Sequence, residues 1–132
     1  MNTTTYYQII EIVLGILFLH WYCDFSLQTP WQAENKSKNN LALLSHVATY
    51  TLGMFLGLLL FFGDQFKFEN IFFYSIANGF VHFCIDYTTS RVTSSLYKQQ
   101  KVHDFFVVIG FDQFMHNGCL LASVPILFVN IL

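Results

Sequence analysis

The chain has 132 residues, 55% of them hydrophobic, 19% aromatic and only 11% charged, with a formal net charge of -2. Soluble domains are roughly 45–50% apolar and about 25% charged, and a small soluble fold leaves too much surface exposed to hide the excess apolar area. The aromatic content excludes disorder, the charge balance excludes a nucleic-acid partner, and what remains is a single domain over 1–132 whose solvent is partly lipid.

Four apolar stretches, about 6–27, 41–63, 71–93 and 105–131, are each close to the ~20 residues a helix needs to cross the hydrocarbon core. Strands are excluded, because an open sheet leaves its edge groups unsatisfied in lipid. The expected fold is all-α, an integral membrane four-helix bundle built from two αα-hairpins. The absence of Lys and Arg between Met1 and Ile10 argues against a cleavable signal peptide.

The first helix carries His20 and Asp24 near its end, and Gln28-Thr29-Pro30 stops it. A polar loop follows over Glu34 to Asn40. The second helix has no formal charge, places His46 near its start, and contains Gly53-Met-Phe-Leu-Gly57, a small-residue face expected to receive a neighbouring helix of the same chain. Asp64, Lys67 and Glu69 mark the second connection. The third helix holds His82 and Asp86 in its later half, then Arg91, and Ser94 to Lys101 forms the third connection. His103 is expected to face solvent and Asp104 to cap the fourth helix. That helix holds Asp112 and His116, and Pro125 should bend it near its far end. Cys23, Cys84 and Cys119 lie apart in apolar stretches and read as buried thiols.

Lys36, Lys38, Arg91, Lys98 and Lys101 lie at the first and third connections, against Lys67 alone at the second. The positive-inside rule then makes loops one and three cytoplasmic and puts both termini outside. The seven His and Asp residues of the spans all fall in the same, cytoplasmic half.

His20/Asp24, His82/Asp86 and Asp112/His116 are each i, i+4 pairs, so both members project from one face of a helix. Chance gives roughly 0.4 such pairs in this composition. The separation of His20 from His82 equals that of Asp24 from Asp86, a weak internal repeat of two hairpins. An aspartate at the centre of a membrane helix costs roughly 2.5–3.5 kcal/mol, and a cation held by imidazole and carboxylate offsets that cost. The plain alternative, His–Asp hydrogen bonds that glue helices together, accounts well for one pair and poorly for three pairs and His46 in one layer. The donor set suits a divalent metal ion, zinc first, with manganese, iron or nickel as alternatives. His20, Asp24, His82, Asp86 and His116 are the expected ligands, and Asp112 and His46 are ligands or general bases. Seven candidates exceed one tetrahedral centre, so either two metals share the site or some residues only orient the others. Gln28, Gln113 and Arg91 are the expected substrate contacts.

The segments His20-Trp-Tyr-Cys-Asp24-Phe25-Ser-Leu27-Gln28, Lys36 or Lys38, Leu44-Ser-His46, His82-Phe-Cys-Ile-Asp86 and Asp112-Gln113-Phe-Met-His116 together resemble a family of small multi-pass membrane proteins of bacteria and phages known as domain of unknown function 3307. The resemblance implies a membrane fold, with the bacterial inner membrane as its place, and supplies no activity. Where that family often has a Lys three residues after the third-helix Asp, this chain has Thr89, with Arg91 nearby.

The expected function is a metal-dependent intramembrane hydrolase of a lipid or another membrane-borne substrate. The alternatives are an ion, proton or metal transporter, and a metal-stapled protein that binds another membrane protein, such as a phage protein acting on its host. Expected partners are membrane lipids, a second copy of the chain or another membrane protein.

Overall fold

The computed structural model describes residues 3–129, and all regular structure among them is helical. Helix α1 (Thr3–Trp21) runs on into a π-helical turn (Tyr22–Ser26), followed by α2 (Pro30–Asn35), α3 (Asn40–Phe62), α4 (Phe68–Lys98), α5 (Val102–Ser123) and the short α6 (Pro125–Phe128). The expected ends of the domain at 1 and 132, and of the last helix at 131, lie outside the described residues.

Three stretches, Tyr6–Ser26, Asn40–Phe62 and Val102–Phe128, are long and apolar enough to cross a membrane. Helix α4 is longer than expected at 31 residues, about 46 Å at the α-helical rise of ~1.5 Å per residue. It falls short in apolarity because it buries Asn70, Asn78, His82 and Asp86 and ends in a Ser/Thr-rich run. That run, expected as a loop from Ser94, stays helical to Lys98, and Gln100 turns the chain with a φ of 56°.

The first connection also differs from expectation. Thr29 caps α2 through a capping box with Gln32, and Pro30 supplies the preset φ of a first helical turn. Gln32 is buried, and its amide donates to Ser45 Oγ at 3.0 Å, which folds the loop back against α3. At the other end α5 starts at Val102 with no side-chain cap, so Asp104 sits in the first turn rather than at the cap. Pro125 ends α5 and opens α6, which Asn70 secures by donating to the carbonyls of Leu127 and Val129.

Helix α3 packs on α1 and α4, and α5 packs on α4 and α1, which closes a ring around one interior. Close approach of α1 and α3 depends on Gly53 and Gly57, where a Cβ would meet Cys23 Sγ at 2.7 Å and run into Leu19 respectively. The small-residue face therefore serves packing within the chain, as expected.

Exposure is inverted relative to a water-soluble protein. Leu60, Phe80 and Phe114 are 70% or more exposed, while His20, Asp24, His46, His82, Asp86 and His116 are all buried. A ring of outward aromatic and aliphatic side chains around a polar interior is what lipid solvent selects. The thiols depart from expectation, because only Cys23 is buried while Cys84 is exposed and Cys119 intermediate. His103 is exposed, as expected.

Candidate metal centre

The seven ionisable residues of the layer come together. The π-turn widens the end of α1 and carries Asp24 inward beside His20; π-bulges of this kind recur at functional sites. His46 sits a turn and a half into α3, and His82 and Asp86 share one face of α4.

At the centre is His46 Nε2. It lies 3.1 Å from Asp24 Oδ1, 3.1 Å from His82 Nε2 and 3.4 Å from Asp86 Oδ2. His82 Nε2 in turn lies 3.5 Å from Asp24 Oδ1 and 3.7 Å from Asp86 Oδ2. Tetrahedral zinc with bonds of about 2.0–2.1 Å sets its ligand atoms about 3.3 Å apart. These five separations bracket that value, and the four residues come from three separate helical segments.

A ring nitrogen carries at most one proton, so His46 Nε2 can donate fully to only one of Asp24 Oδ1, Asp86 Oδ2 and His82 Nε2, and its role toward His82 is set by the tautomers of the two rings. The Nδ1 atoms of His46 and His82 have no hydrogen-bond partner among the described residues. His82 is oriented instead by Tyr50, whose ring stacks on it at 4.0 Å and 6°.

One positive group reaches the quartet. Lys36, just after α2, places Nζ 2.8 Å from Asp86 Oδ2 and 3.5 Å from His46 Nε2. With Asp112 adjacent, three carboxylates face one ammonium, and buried charge so unequal needs a further cation or protons to balance it.

His20, expected as a ligand, lies in a compact donor group with Asp24 and His116 and also has hydrogen-bond partners. The Tyr50 hydroxyl pairs with Nδ1 at 3.2 Å, and Nε2 pairs with Gln113 Oε1 at 3.2 Å. The Gln113 amide donates to Asp24 Oδ2 at 3.1 Å and Asp112 Oδ2 at 3.0 Å. Both ends of Gln113 are thus engaged, so it orders the acids rather than offering itself to a substrate. Asp112 also accepts from the Thr89 hydroxyl, at the position where the resembling family often has Lys. His116 is buried with Nδ1 3.4 Å from Asp112 Oδ2 and Nε2 3.8 Å from Asp86 Oδ1.

Above the acids opens a cavity of about 800 Å³, lined by Asp24, Asp86, Asp112, Gln113 and Gln28 at its base, by hydroxyls of α4, and by Lys36, Lys38 and Lys98. Gln28 Oε1 is buried with no hydrogen-bond partner among the described residues. Arg91, expected to join it, lies elsewhere. Its guanidinium donates to Tyr87 O and Asn40 Oδ1 and stacks on the Tyr87 ring at 3.8 Å.

Three participants were not legible as such. Tyr50 follows His46 by four residues and Thr89 follows Asp86 by three, so helical periodicity places each on the face of its acid or imidazole. Lys36 carried no such signal, since its reach depends on α2 folding back.

Residues 12–131 match the family described as "Protein of unknown function (DUF3307)". No curated protein matches the chain, and no solved structure does.

Proposed function

The chain belongs to the DUF3307 family over nearly its whole length, and from that premise, with its activity to be read from the site alone, we propose a metal-dependent hydrolase embedded in the membrane. The observation that carries the reading is the Asp24–His46–His82–Asp86 quartet, whose donor atoms all lie within 4.8 Å of one another beside an open cavity that Asp24 and Asp86 line. In this reading α4 crosses the bilayer with α1, α3 and α5, shielded by the two helices it packs on, and the bundle has four spans. The lysines of the first and third connections put the cavity mouth at the cytoplasmic face.

A divalent cation bound by the quartet would polarise a substrate oxygen and acidify water. The rest is work for the chain's own groups. Lys36 leaves Asp86 for the cavity mouth when the quartet is neutralised, and with Lys38 and Lys98 it binds an anionic head group or phosphoester. Gln28 Oε1 accepts a hydrogen bond from the substrate. Water adds across the ester or phosphoester bond, and its proton passes to Asp112, the cavity-wall carboxylate outside the quartet, then to the leaving oxygen. Phe25, Phe105 and Ile109 line the same cavity and suit the apolar part of a lipid.

The test is elemental analysis of protein purified from cells supplied with zinc or manganese, joined to hydrolysis assays on phospholipid and aryl ester or phosphoester in mixed micelles. Bound metal, activity lost to chelator and restored by metal, and an Asp112→Asn variant that keeps its metal but loses rate by about 10²-fold or more are the expected results. Protein that takes up no metal overturns the reading.

A transport reading draws on the buried polar groups of α4 in the other half of the bundle. There, however, Asn78 donates to Tyr74 O and Ser123 Oγ, and the Tyr74 hydroxyl donates to Leu120 O. These groups are closed on the backbone and on each other, which favours the hydrolase. Metal or proton flux into proteoliposomes, abolished by Asp86→Asn, would reverse that preference.

A further inference from the structure

The quartet uses one oxygen from each of two carboxylates, Asp24 Oδ1 and Asp86 Oδ2. Their other oxygens face a different neighbourhood. Asp86 Oδ1 lies 3.8 Å from His116 Nε2, and Asp24 Oδ2 lies 4.0 Å from His20 Nε2. His116 also belongs with His20 and Asp24 in one compact group of donor atoms, and with Asp86 and Asp112 in another, each within 4.8 Å.

His116 itself has no role in the account so far. It is 3% exposed, and neither ring nitrogen has a hydrogen-bond partner among the described residues. It does not line the cavity, so it is poorly placed to meet a substrate directly. An imidazole buried without partners and aimed at a carboxylate oxygen is arranged as a ligand. Asp112, 3.4 Å from its Nδ1, is placed to steady the ring as carboxylates do behind metal-bound histidines. Asp112 is itself fixed by Thr89 and Gln113.

We propose that His116, His20 and Asp24 form a second divalent-cation position, so that Asp24, whose Oδ1 faces the quartet, bridges two ions. This rests on reading the quartet as a metal centre. The two positions differ in kind. The quartet offers four protein donors at tetrahedral spacing, so its cation would take a substrate oxygen or water only by expanding to five-coordination. The second offers three, and one of them, Asp24, also lines the cavity. Three protein ligands with positions left open are the pattern of catalytic rather than structural sites, and paired cations clamp both the attacking and the leaving oxygen in hydrolytic centres. The second position is therefore where the substrate oxygen binds. His20 is the third ligand here, and Gln113, which donates to Asp24 Oδ2, orders the outer oxygen of Asp24.

The experiment is manganese loading of the full chain in detergent micelles, with metal content measured after dialysis and the electron paramagnetic resonance spectrum recorded. The expected result is about two manganese per chain with the signature of a spin-coupled pair. In His116→Ala the content should fall to about one, with the uncoupled signal of a single ion. Should His116→Ala fail to fold, His116→Asn replaces it, and the wild-type content and coupling decide the matter without either variant. One manganese per chain in the wild type, or two that are not coupled, overturns the second position and leaves the quartet standing. No manganese at all, and no zinc on repeating the loading, overturns the metal-centre reading itself.

Discussion

Helix α1 buries Ile12, Ile16 and Leu19 in one apolar core with Met54, Leu58, Phe62 and Ile71, and in its next turn it sends His20 and Asp24 toward His46, His82 and Asp86. The same helices thus carry two interiors of opposite chemistry. In the first, stability comes from contact between side chains, because in lipid there is no transfer of apolar groups out of water to drive association. In the second, carboxylates and imidazoles face one another at cation-coordinating distances and are held in place by the packing below. The apolar half should hold the fold under any condition, and the polar half should gain stability only when its charge is balanced.

The largest test of that difference is Leu58→Ala. Leu58 is fully buried, and large-to-small changes in such positions cost roughly 2–5 kcal/mol; with lipid as the reference, loss of packing alone puts the expected value at the low end, about 2 kcal/mol. Thermal unfolding in detergent should show the same loss with and without added metal. A loss that depends on metal would mean the two halves are not separate.

Asp86→Asn should do the reverse. In metal-free protein it relieves the surplus of carboxylates but leaves Lys36 without its partner at 2.8 Å, so the net change in stability should be small. The stabilisation that excess metal gives the wild type, about 2.7 kcal/mol at a hundred times Kd, should vanish. Equal melting shifts on adding zinc to wild type and Asp86→Asn would remove Asp86 from the centre.

Much of this division is visible in the sequence. The spacing of His20/Asp24, His82/Asp86 and Asp112/His116 fixes a shared face on each helix, and the apolar runs mark an all-helical chain, three of whose stretches are long and apolar enough to cross a membrane. What that spacing does not fix is which residues meet. His46, left open as ligand or base, stands at the centre of the quartet because α3 enters between α1 and α4. His20, expected as a ligand beside the others, stands outside the quartet in a second donor group with Asp24 and His116, where Tyr50 and Gln113 orient its ring. The π-turn around Asp24, the fold-back of α2 that delivers Lys36, and the helical run to Lys98 arise from tertiary packing that overrides local signals. Loop composition alone reads all three regions as ordinary ends and connections.

Lys36→Met sharpens the comparison at its boundary. The ammonium and a divalent cation compete for Asp86 Oδ2, to which Lys36 donates at 2.8 Å. Without Lys36 the metal-free protein should lose stability, since Asp86 is left unpaired. Metal affinity should rise by about tenfold, or 1.4 kcal/mol, measured by competition with a chromophoric chelator. Unchanged affinity would mean that the ammonium and the cation do not share a place.

The smallest expected effect belongs to Thr89, which donates to Asp112 Oδ1 from the adjacent helix. Thr89→Val keeps the shape and removes one hydrogen bond to a carboxylate, a change of about 1.5 kcal/mol or less in stability. Because Thr89 touches no atom of the quartet, metal content should stay as in the wild type. The hydrolytic rate should fall, since Asp112 loses one of the two contacts that hold it against His116 and the cavity. A Thr89→Val protein with normal rate and normal metal would show that the position of Asp112 is set by Gln113 alone, and that the polar half is fixed from α5 without help from α4.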